Sequence, residues 1–196
     1  MKLNKYIKIP KIRIAVLIGK NGTTKKYIEE KSQTFLKIDS KGGIVEILTK
    51  SDVENVLSFW KTAEVIKAIA RGFSPKRAYK LFEENIYMEI IDLEETLNTD
   101  KKIKRIKGRI IGEQGKSRIM IEEMTDAYIS VFGNTVSIIG EHLPFKIAKK
   151  AVNKLISGDS HTRVYRFLQK NFKKIQDNKY SLWKTIPEVR DDFEFQ

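Results

Sequence analysis

Two glycines three apart, flanked by lysines and arginines, are the residues of this chain whose types and spacing could do chemistry. They lie in Arg105-Ile106-Lys107-Gly108-Arg109-Ile110-Ile111-Gly112-Glu113-Gln114-Gly115-Lys116-Ser117-Arg118. Glycines free the backbone for positive φ and close approach, and the helical pattern restarting at Lys116 aims unpaired N–H groups over the loop. A backbone phosphate is the natural occupant. A single Gly-x-x-Gly is more often a helix end followed by a turn, so a second copy decides between the two readings. Leu17-Ile18-Gly19-Lys20-Asn21-Gly22-Thr23 lies 93 positions upstream, from Gly19 to Gly112. Its flanks stay in register: Lys25 with Arg118, Ile28 with Ile121, Glu29-Glu30 with Glu122-Glu123, Phe35 with Tyr128, Ile38 with Val131. Chance turns do not repeat their flanks.

The elements that must position these loops follow from periodicity. Tyr6–Ile9 alternates and reads as a strand, Ile12–Ile18 as a helix ended by Gly19, and Thr23–Lys31 as a second helix capped by Thr23 or Thr24. Thr34–Asp39 and Ile44–Thr49 form a hairpin across Ser40-Lys41-Gly42-Gly43. Ser51-Asp52-Val53-Glu54 has capping-box spacing and opens a long helix to Arg71, in which Val53, Val56, Leu57, Trp60, Ala63, Ile66 and Ile69 define the core face. A short helix, Pro75–Glu84, is added. The order then recurs with strand Ile86–Leu93, a polar insertion Glu94–Asp100, helix Lys102–Ile111, the loop, helix Lys116–Met124, strands Ala127–Phe132 and Thr135–Ile139, and helix Pro144–Ile156. Gly72, Pro75, Ala78, Tyr79, Leu81 and Phe82 correspond to Gly158, His161, Val164, Tyr165, Phe167 and Leu168, so the added helix is duplicated too. The expected class is α+β: two β-α-α-β-β-α units in tandem, each a three-stranded antiparallel sheet with helices on one face plus an added C-terminal helix. The expected divisions are residues 1–84, 85–176 and a tail, 177–196, read as mobile or loosely packed.

At 196 residues the units are each small, so they are expected to pack on one another. Net charge is +13; residues 1–84 carry 18 basic and 9 acidic side chains, residues 85–196 carry 20 and 16. That excess points to a polyanion, with nucleic acid the expected one. With no cysteine and only His142 and His161, both expected at surface or helix-start positions, neither disulfide nor zinc cluster is called for, and no cofactor is expected. No apolar run approaches a membrane span and Met1–Tyr6 lacks a signal-peptide pattern, so a cytoplasmic location with no membrane partner is expected.

The order β-α-Gly-x-x-Gly-α-β-β-α resembles the type I KH (K-homology) domain, a single-stranded RNA or DNA binder whose loop clamps the nucleotide backbone. Arg71-Gly72-Phe73-Ser74-Pro75, Ile90-Ile91-Asp92-Leu93, Arg105–Gly112, Tyr128-Ile129-Ser130-Val131 and His161–Leu168 together resemble the archaeal two-KH-domain family related to the eukaryotic partner-of-Nob-one protein. The resemblance spans about residues 6–170. It implies a role in small-ribosomal-subunit maturation, near the 3′ end of the small-subunit rRNA and beside a trimming nuclease. It places RNA-contact loops on Gly19-Lys20-Asn21-Gly22 and Gly112-Glu113-Gln114-Gly115.

Charge and reach supply the neighbours: Arg13, Lys25 and Lys26 at the first loop, and Lys107, Arg109, Lys116 and Arg118 at the second. Ile110, Ile111 and Ile129, with Leu17, Ile18 and Leu36, are core or the floor of a base-binding groove. Glu113 stands where a carboxylate repels a phosphate; either its basic neighbours outweigh it or it points away. A nuclease would draw on Asp92, Glu94, Glu95, Glu122, Glu123 and Asp126 to hold magnesium, but the duplicated Glu-Glu pair reads better as a solvated helix face. The expected function is a non-catalytic single-stranded RNA-binding assembly factor. The alternative is a scaffold that recruits a nuclease or a translation initiation factor and has only weak general RNA affinity.

Overall fold

In a computed structural model, which describes residues 3–49 and 56–184 with side chains through Asp177, the duplication is explicit. The first unit runs β1 (Asn4–Lys8), α1 (Lys11–Ile18), α2 (Thr23–Ser32), β2 (Thr34–Asp39), β3 (Ile44–Thr49) and α3 (Val56–Ala70). Helix α4 (Pro75–Ala78) then tightens into a 3₁₀ turn over Tyr79–Phe82. The second unit runs β4 (Ile86–Asp92), a short α5 (Leu93–Thr96), α6 (Asp100–Ile111), α7 (Lys116–Thr125), β5 (Tyr128–Phe132), β6 (Thr135–Glu141), α8 (His142–Ile156) and α9 (His161–Lys184). Each sheet is antiparallel, in the orders β1-β3-β2 and β4-β6-β5.

The two units stack, as their size requires. In the central strand β3, Val45 and Ile47 are buried while Ile44 is exposed, the alternation of a sheet with one wet face. Its counterpart β6 is buried at every position from Thr135 to Gly140. Val136 and Ile138 face the core of the second unit, with Ile106, Ile110 and Leu155. Ile139, on the opposite face of the strand, joins the core of the first unit, where Ile86, Met88 and Tyr128 also pack. The helices of the first unit therefore lie between the two sheets, and α3 is apolar on two sides: Phe59, Ala63, Ile66 and Ile69 are buried, and so are Val65, Ala68 and Ala70. The turn after α3 closes the stack, with Ser130 Oγ donating to the Arg71 carbonyl at 2.8 Å.

Several sequence expectations are corrected. Trp60 is not core but half exposed, with Lys5 Nζ 3.9 Å over its ring; Val56 and Leu57 are exposed as well, and Phe59 takes the buried position. A helix buried on two sides has no single stripe: counting by threes and fours finds the buried Ala63, Ile66 and Ile69 but misplaces Val56, Leu57 and Trp60 in the first turns. Thr23 and Thr24 do not cap α2, whose N-cap is Gly22 with no side-chain bond. The proposed box at Ser51 lies outside the described residues. The polar insertion is partly ordered, because Asp92 accepts from the Glu94 amide at 2.9 Å and starts α5. Helix α9 continues through Lys184 instead of fading after Gln176, with Ile175 buried in the second core; residues 185–196 lie outside the described residues. His142 and His161 do stand first in α8 and α9.

Candidate nucleic-acid interface

The two loops superimpose in their torsions. Gly19, Asn21 and Gly22 have φ of 74°, 53° and 76°, against 72°, 52° and 82° for Gly112, Gln114 and Gly115. Each loop begins where the amide of its first glycine donates to a carbonyl four residues back, Gly19 to Ala15 and Gly112 to Gly108. That glycine is obligatory for a second reason: a Cβ on Gly112 would sit 2.7 Å from Ser117 Cβ and 2.7 Å from Ser117 N. The chain thereby turns tightly into α2 and α7. Neither helix carries a side-chain cap; the loop itself takes the first amides, Thr23 N donating to the Lys20 carbonyl and Lys116 N to the Glu113 carbonyl.

The sequence-nominated side chains separate into two groups. Lys20, Asn21 and Lys26 are exposed around the first loop, and Glu113, Gln114 and Lys116 around the second. Lys107 is half-buried, with its Nζ 3.5 Å from Asn134 Oδ1 in the β5–β6 turn. Arg13 and Arg109 are committed elsewhere. Arg13 Nε and Nη2 donate to the carbonyls of Ile69 and Phe73 at 2.8 and 2.6 Å, and burial holds its guanidinium below the usual arginine range. Arg109 Nη2 donates to the Asp159 carbonyl, while His161 Nε2 lies 2.9 Å from the Arg109 carbonyl. Both arginines thus clamp the turn that follows their unit's long helix. A basic residue one or two helical turns before a loop looks alike in sequence whether it reaches solvent or a carbonyl.

The carboxylates are also structural. Glu122 accepts the Ile129 amide and Glu29 the Leu36 amide, each at 2.7 Å, tying α7 and α2 to the strands that follow them. The first member of each Glu-Glu pair is thus not solvated, whereas the second, Glu30 or Glu123, is exposed as expected. Glu94 accepts from Asn134 Nδ2 at 2.6 Å and pins the β5–β6 turn. Among the described residues no group of three or more His, Asp or Glu side chains is placed to hold a metal ion.

The apolar candidates divide as well. Leu17, Leu36, Ile110 and Ile129 are core, Ile18 is half-buried, and Ile111 is 36% exposed beside the loop. Two residues missed by sequence reasoning join Ile111: Ile119 and Met120 on α7, both exposed, with Ile119 Cδ1 3.8 Å from the position of a Cβ on Gly115. The signal was available, since Ser117, Ile121 and Thr125 form the buried face of α7 and Ile119 and Met120 fall off it. Gly108 was also missed. It lies inside α6, exposed, and a Cβ there would meet nothing within 4 Å. An uncrowded glycine inside a helix weakens that helix without relieving any clash. What it does provide is a flat, low wall beside Ile111 and the loop. The second site thus combines a tight glycine loop, cations and an apolar shelf, the set that holds a phosphate backbone and lets unpaired bases lie flat.

Residues 87–173 match the model of the second KH domain of PNO1, described as a eukaryotic-type KH domain (KH-domain type I), and residues 4–57 match the general KH-domain model. The chain is 44% identical over 188 residues to KH domain-containing protein MJ0443 of Methanocaldococcus jannaschii, covering 96% of this chain and 82% of that protein. It is 30% identical over 141 residues to RNA-binding protein PNO1 of Oryzias latipes, covering 70% of this chain and 58% of the relative. Among solved structures, Dim2p of Pyrococcus horikoshii aligns with a TM-score of 0.80 at 47% identity, over 86% of this chain and 99% of that one. The crystal structure of an a/eIF2alpha-aDim2p-rRNA complex from the same organism contains a chain that aligns with a TM-score of 0.82 at 47% identity, over 88% of this chain and 96% of that one.

Proposed function

The chain belongs to the two-KH-domain family that includes archaeal Dim2p and eukaryotic PNO1, and from that premise we propose that it is a non-catalytic, single-stranded RNA-binding assembly factor acting at the 3′ end of small-subunit rRNA. The observation that carries this reading is the pair of glycine loops with matching torsions and exposed lysines, the second on helices that also expose Gly108, Ile111, Ile119 and Met120. At the loops Lys20 and Lys26, or Lys116 and Arg118, fix phosphates and register. The shelf of the second site admits bases only when they are unstacked, which discriminates against duplex. Arg13 and Arg109 are left out of this contact set, and Ile110 supports it from the core. Residues 1–84 and 85–176 are the two binding modules, linked by effective concentration if one strand engages both.

The relatives named as RNA-binding or pre-rRNA-processing proteins support a binder over a catalyst. The complex with rRNA and a/eIF2alpha supports RNA as one partner and a translation initiation factor as another; a maturation nuclease is a further partner on this reading. Among the described residues no helix is long and apolar enough to cross a membrane, and we place the protein in the cytoplasm with the subunit it assembles.

The test is binding to a single-stranded RNA copying the 3′ end of small-subunit rRNA, against a scrambled strand and a duplex, across a salt series. A preference for the native strand is expected, with a log–log salt slope of about −0.7 per phosphate neutralised. Replacing Glu113-Gln114 by Asp-Asp should weaken that binding while leaving the unfolding midpoint in place. Equal, weak binding to all three probes would reduce the charge to general polyanion attraction and leave the scaffold reading. One feature favours that reading: a cleft between α3 and β4 that exposes Leu57, Trp60 and Tyr87.

A further inference from the structure

On a helix, a basic residue and an acidic one four positions later share a face and pair. In the first unit the pair forms: Lys25 Nζ lies 3.8 Å from Glu29 Oε1 on α2. The equivalent residues on α7 are Arg118 and Glu122, and their pair is absent. Glu122 Oε1 instead takes Arg77 Nη1 at 3.1 Å, from α4 of the first unit, together with the Ile129 amide. Arg77 is steadied over the Tyr128 ring at 4.8 Å. Among the described residues the Arg118 side chain forms no ion pair, and its Nε is shielded from solvent without a hydrogen-bond partner.

We infer that Arg77 is a positioning residue for the RNA site of the other unit: by occupying Glu122, it leaves the charge of Arg118 uncommitted beside the Gly112–Gly115 loop. The inference rests on the RNA-binding reading above and deepens it. A carboxylate within reach of Arg118 competes with any phosphate for the same guanidinium. Arg77 removes that competitor, and it does so only while the two units are stacked. In the first unit, among the described residues, no outside cation reaches Glu29, and Lys25 remains paired. At this helix position the second loop, despite Glu113, therefore has an uncommitted cation where the first has the paired Lys25. The coupling is reciprocal: RNA held by Arg118 keeps Glu122 available to Arg77 and tightens the stack.

The test uses the full chain and the same single-stranded RNA. Arg77→Met, which keeps an apolar stem against Tyr128, should weaken binding about fivefold and flatten the log–log salt slope by about 0.7, the loss of one phosphate contact. In a Glu122→Gln background, where the amide oxygen still accepts from Ile129, Arg77→Met should change nothing, because no carboxylate is left to recapture Arg118. Were Arg77 touching RNA itself, or merely holding the units together, the double variant would bind as weakly as Arg77→Met alone, and the inference would be overturned. Arg118→Met in the otherwise native chain separates the two levels. If it weakens binding while Arg77→Met does not, the RNA site stands and the inference falls. If it has no effect, Arg118 leaves the interface and the inference goes with it.

Discussion

Gly108 has a physical cost and no structural return. Glycine inside a helix is destabilising by about 1 kcal/mol relative to alanine, and here a Cβ would meet open space. Its value lies in what it leaves uncovered between Ile111 and the loop. Gly108→Leu is therefore expected to raise the thermal midpoint while weakening RNA binding at least about tenfold, since the added side chain occupies the shelf without touching the core. Thermal unfolding and an RNA titration on the same preparation check both halves. A leucine variant that unfolds earlier would mean that α6 is more crowded than its backbone indicates. One that binds RNA normally would remove this wall from the site. Arg13 sits at the opposite end of the range: a cation near the first loop whose reach is spent on the carbonyls of Ile69 and Phe73, so that its replacement acts on the fold.

At the scale of elements, α3 shows where pattern reading succeeds and where it cannot. Phe59 is 2% exposed and Trp60 50%. Phe59→Ala should cost about 3–5 kcal/mol of stability, and Trp60→Ala less than about 1 kcal/mol, mostly through contact with Lys5. Urea midpoints at unchanged m-value measure the contrast, and similar losses would place Trp60 back in the core. The β2–β3 hairpin was legible in the sequence because it alternates against one wet face, and the two loops were legible because glycine pairs and their flanks repeat. The face of α3 was legible only in part, at Ala63, Ile66 and Ile69: a helix between two sheets has apolar residues on both sides, and periodicity alone does not exclude Val56, Leu57 and Trp60. Glu29 and Glu122 were misread for a related reason, since an acceptor aimed at a strand amide leaves no mark in the spacing of charges. The length of α9 was hidden because its polar faces, with Lys170, Lys173 and Lys174, mask the sparse core contacts of Leu168 and Ile175.

For the whole molecule, duplication produced two copies in unequal settings. The outer face of the second sheet lies against the first unit's helices, while the first sheet keeps Tyr6, Phe35 and Ile44 exposed. The inequality is sharpest in a pair of glycines. Gly72 and Gly158 follow α3 and α8 with the same φ of 98°, so a side chain strains the backbone alike at either place. Their surroundings differ: a Cβ on Gly72 would lie 2.6 Å from Ser130 Oγ and 2.9 Å from Phe132 Cβ, whereas one on Gly158 meets nothing within 4 Å. Gly158→Ala should therefore cost about 1–2 kcal/mol, the price of a left-handed alanine. Gly72→Ala should exceed it by at least about 1 kcal/mol, because the β5 strand must give way. The excess isolates the contact between units, since the torsional cost cancels in the comparison. Hydrogen exchange supplies a second readout: Gly72→Ala should speed exchange at β5 amides, and Gly158→Ala should leave them protected. Equal costs and unchanged β5 exchange would mean that the turn contributes nothing to stacking. The link from Arg77 through Glu122 to Arg118 would then need another support.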